Sequence, residues 1–277
     1  MDLNYRLIQE MKRRNFSPRT IETYSDCIRK FLEFTKKDAR YLSKKDVLDF
    51  LNHLQTKKYS GSSMNVYHMA IKFLMEEVLR KNIRLNIKYS KRPTRLPEVL
   101  TQEEVCKILE SIKNTKHRLM ISLLYGAGLR VSELLNLKVG EINFDNKYGF
   151  VRQGKGRKDR IFILPEKIAF QLKELISFEK LSSEDFLFLT NRGEKYSPRT
   201  IAEIIKHACE DVGIRKGIHA HTFRHSFATH LIENGSSVNE VQSLLGHKSP
   251  ETTMIYVHLA RPNMIKIKSP LDSLVQA

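Results

Sequence analysis

Two prolines and four basic residues in Lys88-Tyr-Ser-Lys-Arg-Pro-Thr-Arg-Leu-Pro97 break the chain between two stretches of helical patterning. Proline lacks a backbone donor and biases the residue before it away from helix, and no apolar periodicity runs through the segment. It reads as an extended basic linker, residues 88–97, with a separate folding unit on each side. Length permits this, because 277 residues are about twice a common domain size, enough for two hydrophobic cores. Hydrophobic residues at 41% and charged residues at 29% are ordinary for a globular protein and argue against disorder.

The charge is less ordinary. Lysine and arginine number 48 against 31 aspartate and glutamate, a net charge of +17 with a pI near 9.7. An excess of this size points to a polyanionic partner, most often nucleic acid. Residues 1–97 carry 22 basic and 10 acidic side chains and the remainder 26 and 21, so most of the unscreened attraction belongs to the N-terminal third. The longest weakly polar stretch, Leu119 to Leu129, is far short of the roughly 18 residues a membrane span requires, and no basic-then-apolar leader precedes it. That pattern excludes a membrane protein. Cys27, Cys106 and Cys209 are odd in number, widely spaced and without a CxxC pair, as expected for buried thiols in a reducing, cytoplasmic compartment.

Residues 1–87 are patterned as a small all-α bundle. Ser17-Pro18 is a cap with proline in the first helical position, followed by Ile21, Tyr24, Ile28, Phe31 and Leu32. Ser43 with Asp46 opens a second helix through Val47, Phe50, Leu51 and Leu54. Ser62 or Ser63 is expected to open a third, through Val66, Ala70, Phe73, Leu74 and Val78. Beyond the linker, Thr101-Gln-Glu-Glu104 is a capping box, Arg118 to Tyr125 reads as a buried helix interrupted by Gly126 and Gly128, and Val131 to Leu137 resumes it. Short strands follow at Glu141 to Phe144, Tyr148 to Arg152 and Arg160 to Leu164, with Gly154-Lys-Gly156 as a hairpin signal. Helix then continues to the end. The expected fold is mainly α with a small three-stranded antiparallel sheet. Ser-Pro-Arg-Thr-Ile recurs at 17–21 and 197–201 in unlike surroundings, two independent uses of one cap.

Four features of the second unit carry chemistry, and each also has a plain structural explanation. Arg130 lies between two apolar stretches, where an arginine needs an anion or a carboxylate, and Glu133 three residues on is a candidate partner. Lys155 sits in Gly-Lys-Gly-Arg-Lys-Asp-Arg at a turn, either solvated or able to carry its ammonium to a phosphate. In His219-Ala-His-Thr-Phe-Arg-His-Ser-Phe-Ala-Thr-His230, the residues Phe223, Phe227 and Leu231 form a core face, while His221 and Arg224 share another. His221 and His225 have a metal-ligand spacing, but no HExxH or nearby cysteine completes a zinc site. Ser237-Val-Asn-Glu240 caps a helix that stops at Gly246 before His247, and Ser249-Pro250 opens another bearing Tyr256.

In combination, Arg130, His221-x-x-Arg224, Leu-Leu-Gly-His247 and Tyr256 nine residues later resemble the tyrosine recombinase, or phage integrase, family of site-specific recombinases over nearly the whole chain. Gly128-Leu-Arg-Val-Ser-Glu-Leu134, His225-Ser-Phe-Ala-Thr-His-Leu231 and Val241-Gln-Ser-Leu-Leu-Gly-His247 are most similar to its Xer branch, which resolves chromosome dimers. The resemblance implies an all-α, SAM-like core-binding domain over residues 1–87, a linker over 88–97, a catalytic domain over 98–261 and a subunit-exchange tail over 262–277. It implies Arg130, Lys155, His221, Arg224, His247 and Tyr256 as the active site, with Glu133 in support and with neither metal nor cofactor. Thr222-Phe223 stand where relatives usually have leucine beside the arginine, and Lys158, three residues from Lys155, is an alternative for the lysine role.

The implied reaction cleaves and rejoins DNA through a 3′-phosphotyrosine. Equatorial oxygens of a pentacoordinate phosphate gather negative charge, which Arg130 and Arg224 would fork and neutralise. Tyr256, a phenol of pKa about 10, would be the nucleophile. Lys155 would protonate the departing 5′-oxygen, His221 would accept or share the tyrosine proton, and His247 would donate to the phosphate. Lys57, Lys58, Lys88, Lys91, Arg92 and Arg95 are candidate phosphate contacts, and Asn65, His68 and Lys72 lie on the helix that relatives place in the major groove. The implied partners are double-stranded DNA with an inverted-repeat site, further copies of the chain in a tetramer, and a second recombinase or a septal DNA translocase. Alternatives are a mobile-element integrase, a type IB topoisomerase and a non-catalytic DNA-binding regulator.

Overall fold

A computed structural model describes residues 3–81, 96–152, 159–246 and 251–259. The chain divides into two compact units, Met1–Arg95 and Leu96–Ala277. Among the described residues it is mainly helical with one small sheet, as the patterning requires.

In the first unit, helices α1 (Leu3–Arg13), α2 (Pro18–Thr35), α3 (Lys44–Thr56) and α4 (Gly61–Lys72) bury one stripe each, closing over Leu7, Met11, Phe31, Val47, Phe50 and Ile71. The rings of Phe31 and Phe50 meet at 5.3 Å, an aromatic pair that adds to their burial. The Ser17 side chain accepts from the Thr20 amide, and Ser43 and Asp46 form the expected reciprocal cap. The third expected start is corrected: Ser60, not Ser62 or Ser63, caps α4, its hydroxyl accepting from the Ser63 amide at 3.1 Å. After Lys72 the helix widens into a π turn over Phe73–Val78, where Leu79 N–H reaches back five residues to Leu74 O at 2.9 Å. The wider turn lets Phe73, Leu74, Met75 and Val78 all face inward.

The second unit begins with α5 (Gln102–Ser111), α6 (Thr115–Gly126) and α7 (Val131–Asn136). Helix α6 starts three residues before the expected Arg118, because the Asn114 side chain accepts from the His117 amide. Strands β1 (Ile142–Asn143), β2 (Tyr148–Val151) and β3 (Arg160–Ile163) form an antiparallel sheet in that order, with Val151 opposite Arg160 and Phe150 opposite Ile161. Then come α8 (Glu166–Phe178), α9 (Pro198–Asp211), α10 (Ala220–Glu233), α11 (Val238–Leu245) and α12 (Glu251–Leu259). Helix does not run on unbroken after the sheet. Residues 179–197 lack a 3.6-residue apolar repeat and hold only the isolated bridges Lys138↔Phe186 and Leu189↔Lys195.

Helix α10 lies in the interior of this unit although its sequence is polar, since Thr222 through Ser226 includes four buried residues. Its polar groups have partners there. The Ser226 hydroxyl donates to Thr222 O at 2.8 Å and accepts from the Leu100 amide at 2.9 Å, and the Tyr125 hydroxyl lies 2.8 Å from His230 Nδ1. Cys27 and Cys209 are buried as expected, but Cys106 is exposed, on the solvent side of α5. None of the described helices is long and apolar enough to cross a membrane.

Candidate active site

Arg130 immediately precedes α7, following Gly128 with φ +58° and the buried Leu129. At the third position of α7, the Glu133 carboxylate accepts from the Arg130 amide at 2.9 Å and from Arg130 Nη1 at 2.5 Å. Arg160 on β3 donates Nη2 to the other side of that carboxylate at 2.6 Å and Nη1 to the carbonyl of Leu244 at the end of α11. Arg224 on α10 brings Nη1 to 3.8 Å from Glu133 Oε2. Three guanidiniums thus surround one carboxylate, which leaves a surplus of positive charge for an anion to neutralise.

Burial works against the charge on Glu133, yet Arg160 and Arg130 hold its carboxyl below the usual range. Burial and the neighbouring guanidiniums Arg130 and Arg160 push Arg224 down to about 9. Its side chain is tied back by hydrogen bonds to the carbonyls of Gly128 and Leu245, which fix the fork. Gly246, with φ +62°, ends α11 where a Cβ would come within 2.8 Å of Arg160 Cδ, so a glycine there lets the arginine through.

Tyr256 on α12 is buried at 2% exposure, packed with Phe227, Ala228, Val241 and Leu245. Its hydroxyl lies 3.0 Å from Nδ1 of His225 on α10. Burial raises the phenol above its usual range, and the charges of Arg224 and Arg130 act in the opposite direction. His225 is pushed down to about 4, first by burial and then by His221, His219 and Arg224. It is therefore neutral at pH 7, and the tautomer that carries its proton on Nε2 leaves Nδ1 as the acceptor for the phenol.

Of the residues singled out in the sequence, Arg130, Glu133, Arg224 and Tyr256 converge. His221 lies at the start of α10 with an exposed ring, its centroid 6.4 Å from that of His225. Lys155, Lys158 and His247 lie outside the described residues, as do Lys88, Lys91, Arg92, Arg95 and the tail 262–277. Lys57 and Lys58 are exposed, and Lys72 lies 3.8 Å from Glu76. Asn65 and His68 on α4 are buried in the DNA-free chain, at 7% and 3% exposure. Among the described residues no three His, Cys, Asp or Glu side chains converge as a metal requires.

Arg160 and His225 belong to the site and were not picked out from sequence as site residues. Alternation along β3 was the available signal for Arg160. Phe162 and Leu164 are buried while Ile161 and Ile163 are exposed, so Arg160 shares the inward face and needed an internal carboxylate.

The sequence pattern of the phage integrase family matches residues 98–262, and that of the phage integrase N-terminal SAM-like domain matches residues 3–85. The chain is 38% identical over 255 residues to tyrosine recombinase XerA of Pyrococcus furiosus, covering 90% of this chain and 86% of that protein. It is 34% identical over 272 residues to tyrosine recombinase XerD of Oceanobacillus iheyensis, covering 91% of each. Among solved structures, XerH site-specific recombinase bound to a palindromic difH substrate, in a post-cleavage complex, superimposes with a TM-score of 0.75 and 27% identity, covering 92% of this chain and 80% of that one. With the family patterns and these relatives spanning most of its length, the chain belongs to the phage integrase family and is a tyrosine recombinase.

Proposed function

We propose that this recombinase cuts DNA by attack of the Tyr256 hydroxyl on a backbone phosphorus held between Arg130 and Arg224. The observation that carries the proposal is the placement of one buried phenol within the field of both guanidiniums, which in turn share Glu133. The forked cations bind the equatorial oxygens and stabilise the charge that develops there. His221, at the exposed start of α10, and His247 add donors to the same oxygens. Lys155, or Lys158 beside it, protonates the departing 5′-oxygen, a poor leaving group without a proton. The 3′-phosphotyrosine conserves the energy of the broken linkage, so a second 5′-hydroxyl can reverse the step. Lys57, Lys58, Lys88, Lys91, Arg92 and Arg95 supply phosphate contacts from the basic N-terminal third and the linker, and α4, with Asn65, His68 and Lys72, enters the major groove.

The cellular role we assign is that of the Xer branch, resolution of chromosome dimers at an inverted-repeat site in a tetramer joined by the tails. The XerA and XerD relatives support this assignment. The test of the chemistry is a nicked suicide substrate, on which the wild-type chain becomes covalently attached and Tyr256→Phe binds but does not. An adduct with Tyr256→Phe sinks the nucleophile assignment. For the role, a protected site found on the chromosome supports it, and one found on a mobile element replaces it with an integrase. A plasmid carrying two sites yields deletion products with a recombinase and relaxation alone with a topoisomerase.

A further inference from the structure

Resting on the Tyr256 reading, we infer that His225 is a further catalytic residue, the group that takes the phenolic proton as Tyr256 attacks and returns it on religation. Resemblance assigns proton acceptance to His221. A different histidine, His225, one helical turn further along α10, places its Nδ1 3.0 Å from the tyrosine Oη. That is the hydrogen-bond reach a general base requires. Arg224 and Ser226 on either side of His225 are buried, so the imidazole stands on a backbone held from both sides, next in sequence to a guanidinium that grips the phosphate. One turn of α10 thus supplies both a phosphate clamp and a base.

The proton accounting closes. The Oη–H proton moves to Nδ1 of His225 as Oη bonds to phosphorus, and the bond from phosphorus to the 5′-oxygen breaks, that oxygen taking a proton from Lys155 or Lys158. In the covalent intermediate His225 is an imidazolium. On religation a 5′-hydroxyl attacks, its proton passes back to the lysine, and the departing phenolate recovers its own from His225.

The groups facing His225 explain why this transfer waits for DNA. Arg224 on the helix itself, joined by His219 at its cap and by His221 whenever those rings are protonated, adds positive potential to the burial that already disfavours the imidazolium, while α12 presents the neutral Tyr256. In the free chain the imidazole is a reluctant acceptor and the phenol stays protonated. A phosphate between Arg130 and Arg224 brings negative charge to the same place, stabilising imidazolium and phenolate together. Nucleophile activation is thereby coupled to occupancy of the clamp.

Adduct formation on the nicked substrate, measured in single turnover with the full-length chain, tests this. His225→Asn keeps an acceptor near the position of Nδ1 without its basicity. It is expected to bind DNA as the wild type does and to form adduct about 10²- to 10⁴-fold more slowly. A substrate with a 5′-bridging sulfur, whose thiolate leaves without a proton, is expected to rescue a Lys155→Ala, Lys158→Ala double variant but not His225→Asn. A wild-type rate for His225→Asn, or its full rescue by sulfur, overturns the inference. Should that variant unfold, the wild-type chain still decides, because ¹⁵N-histidine spectra of the trapped adduct must show His225 protonated on both ring nitrogens. A neutral ring there overturns the inference as well. Failure of the wild type to form any adduct, or adduct with Tyr256→Phe, instead overturns the reading beneath it.

Discussion

Arg160 Nη2 and Glu133 Oε2 lie 2.6 Å apart across 27 residues of sequence, with 7% and 3% of their side chains exposed. The pair joins β3 to α7, and the same carboxylate holds Arg130, so a single acidic group fixes both the Arg130 guanidinium and strand β3.

Glu133→Gln removes the charge while keeping the size. It leaves Arg160 and Arg224 buried beside Arg130 without a counterion, and breaking a buried pair in this way costs about 3–5 kcal/mol. Urea unfolding is expected to show a loss of that size. The dependence on pH follows from the lowered Glu133 pKa. The stabilisation is full above the ordinary carboxyl value of 4.5 and disappears as pH falls through the lower folded value. The Gln variant lacks that acid-side slope.

Gly128→Ala is expected to destabilise the catalytic unit by about 2 kcal/mol or more. A left-handed φ of +58° costs a side chain about 1–2 kcal/mol, and the new methyl would come within 2.4 Å of Phe227 Cδ1 in an already packed place. Because Gly128 O accepts from Arg224, adduct formation is expected to fall along with the melting temperature.

Asp46 is the corresponding device in the helical unit. Burial opposes its charge, but Lys37 Nζ at 2.7 Å and the Ser43 side chain and amide hold its pKa at about 2. Its contribution is complete above the ordinary value of 3.8 and is lost as pH falls through about 2. Asp46→Ala removes the cap and is expected to cost about 1 kcal/mol at neutral pH. Hydrogen exchange of the α3 amides measures the loss locally, and unchanged exchange contradicts the assignment.

Lys155→Ala and Lys158→Ala separate the two candidates for the leaving-group acid. The acting lysine is expected to cost about 10²- to 10⁴-fold in adduct rate on a normal phosphodiester and little on the bridging-sulfur substrate. The other is expected to weaken DNA binding alone, by an amount that shrinks as salt rises.

Helix starts were legible because caps are short-range chemistry. Ser17, Ser43, Thr101, Ser197 and Ser237 each accept from the amide three residues on, a contact set by spacing alone. Ser60 escaped notice because Ser62 and Ser63 offer the same chemistry within three positions, and only packing of Met64 and Tyr67 into the bundle selects among them. The three short strands and their antiparallel pairing were also legible in the sequence, whereas their order in the sheet came from the structure.

The sequence by itself marked Arg130, Arg224 and Tyr256 as candidates for phosphoryl-transfer chemistry, since they stand in a pattern that motifs preserve. Tertiary structure alone decided that Glu133 serves Arg160 as well as Arg130, that Asn65 and His68 are buried while Cys106 faces solvent, and that Nδ1 of His225 lies 3.0 Å from the Tyr256 oxygen. The physical reason is range. A hydrogen bond within one helical turn follows from spacing, whereas the meeting of α10 with α12, or of β3 with α7, follows from how whole elements bury their apolar faces against one another.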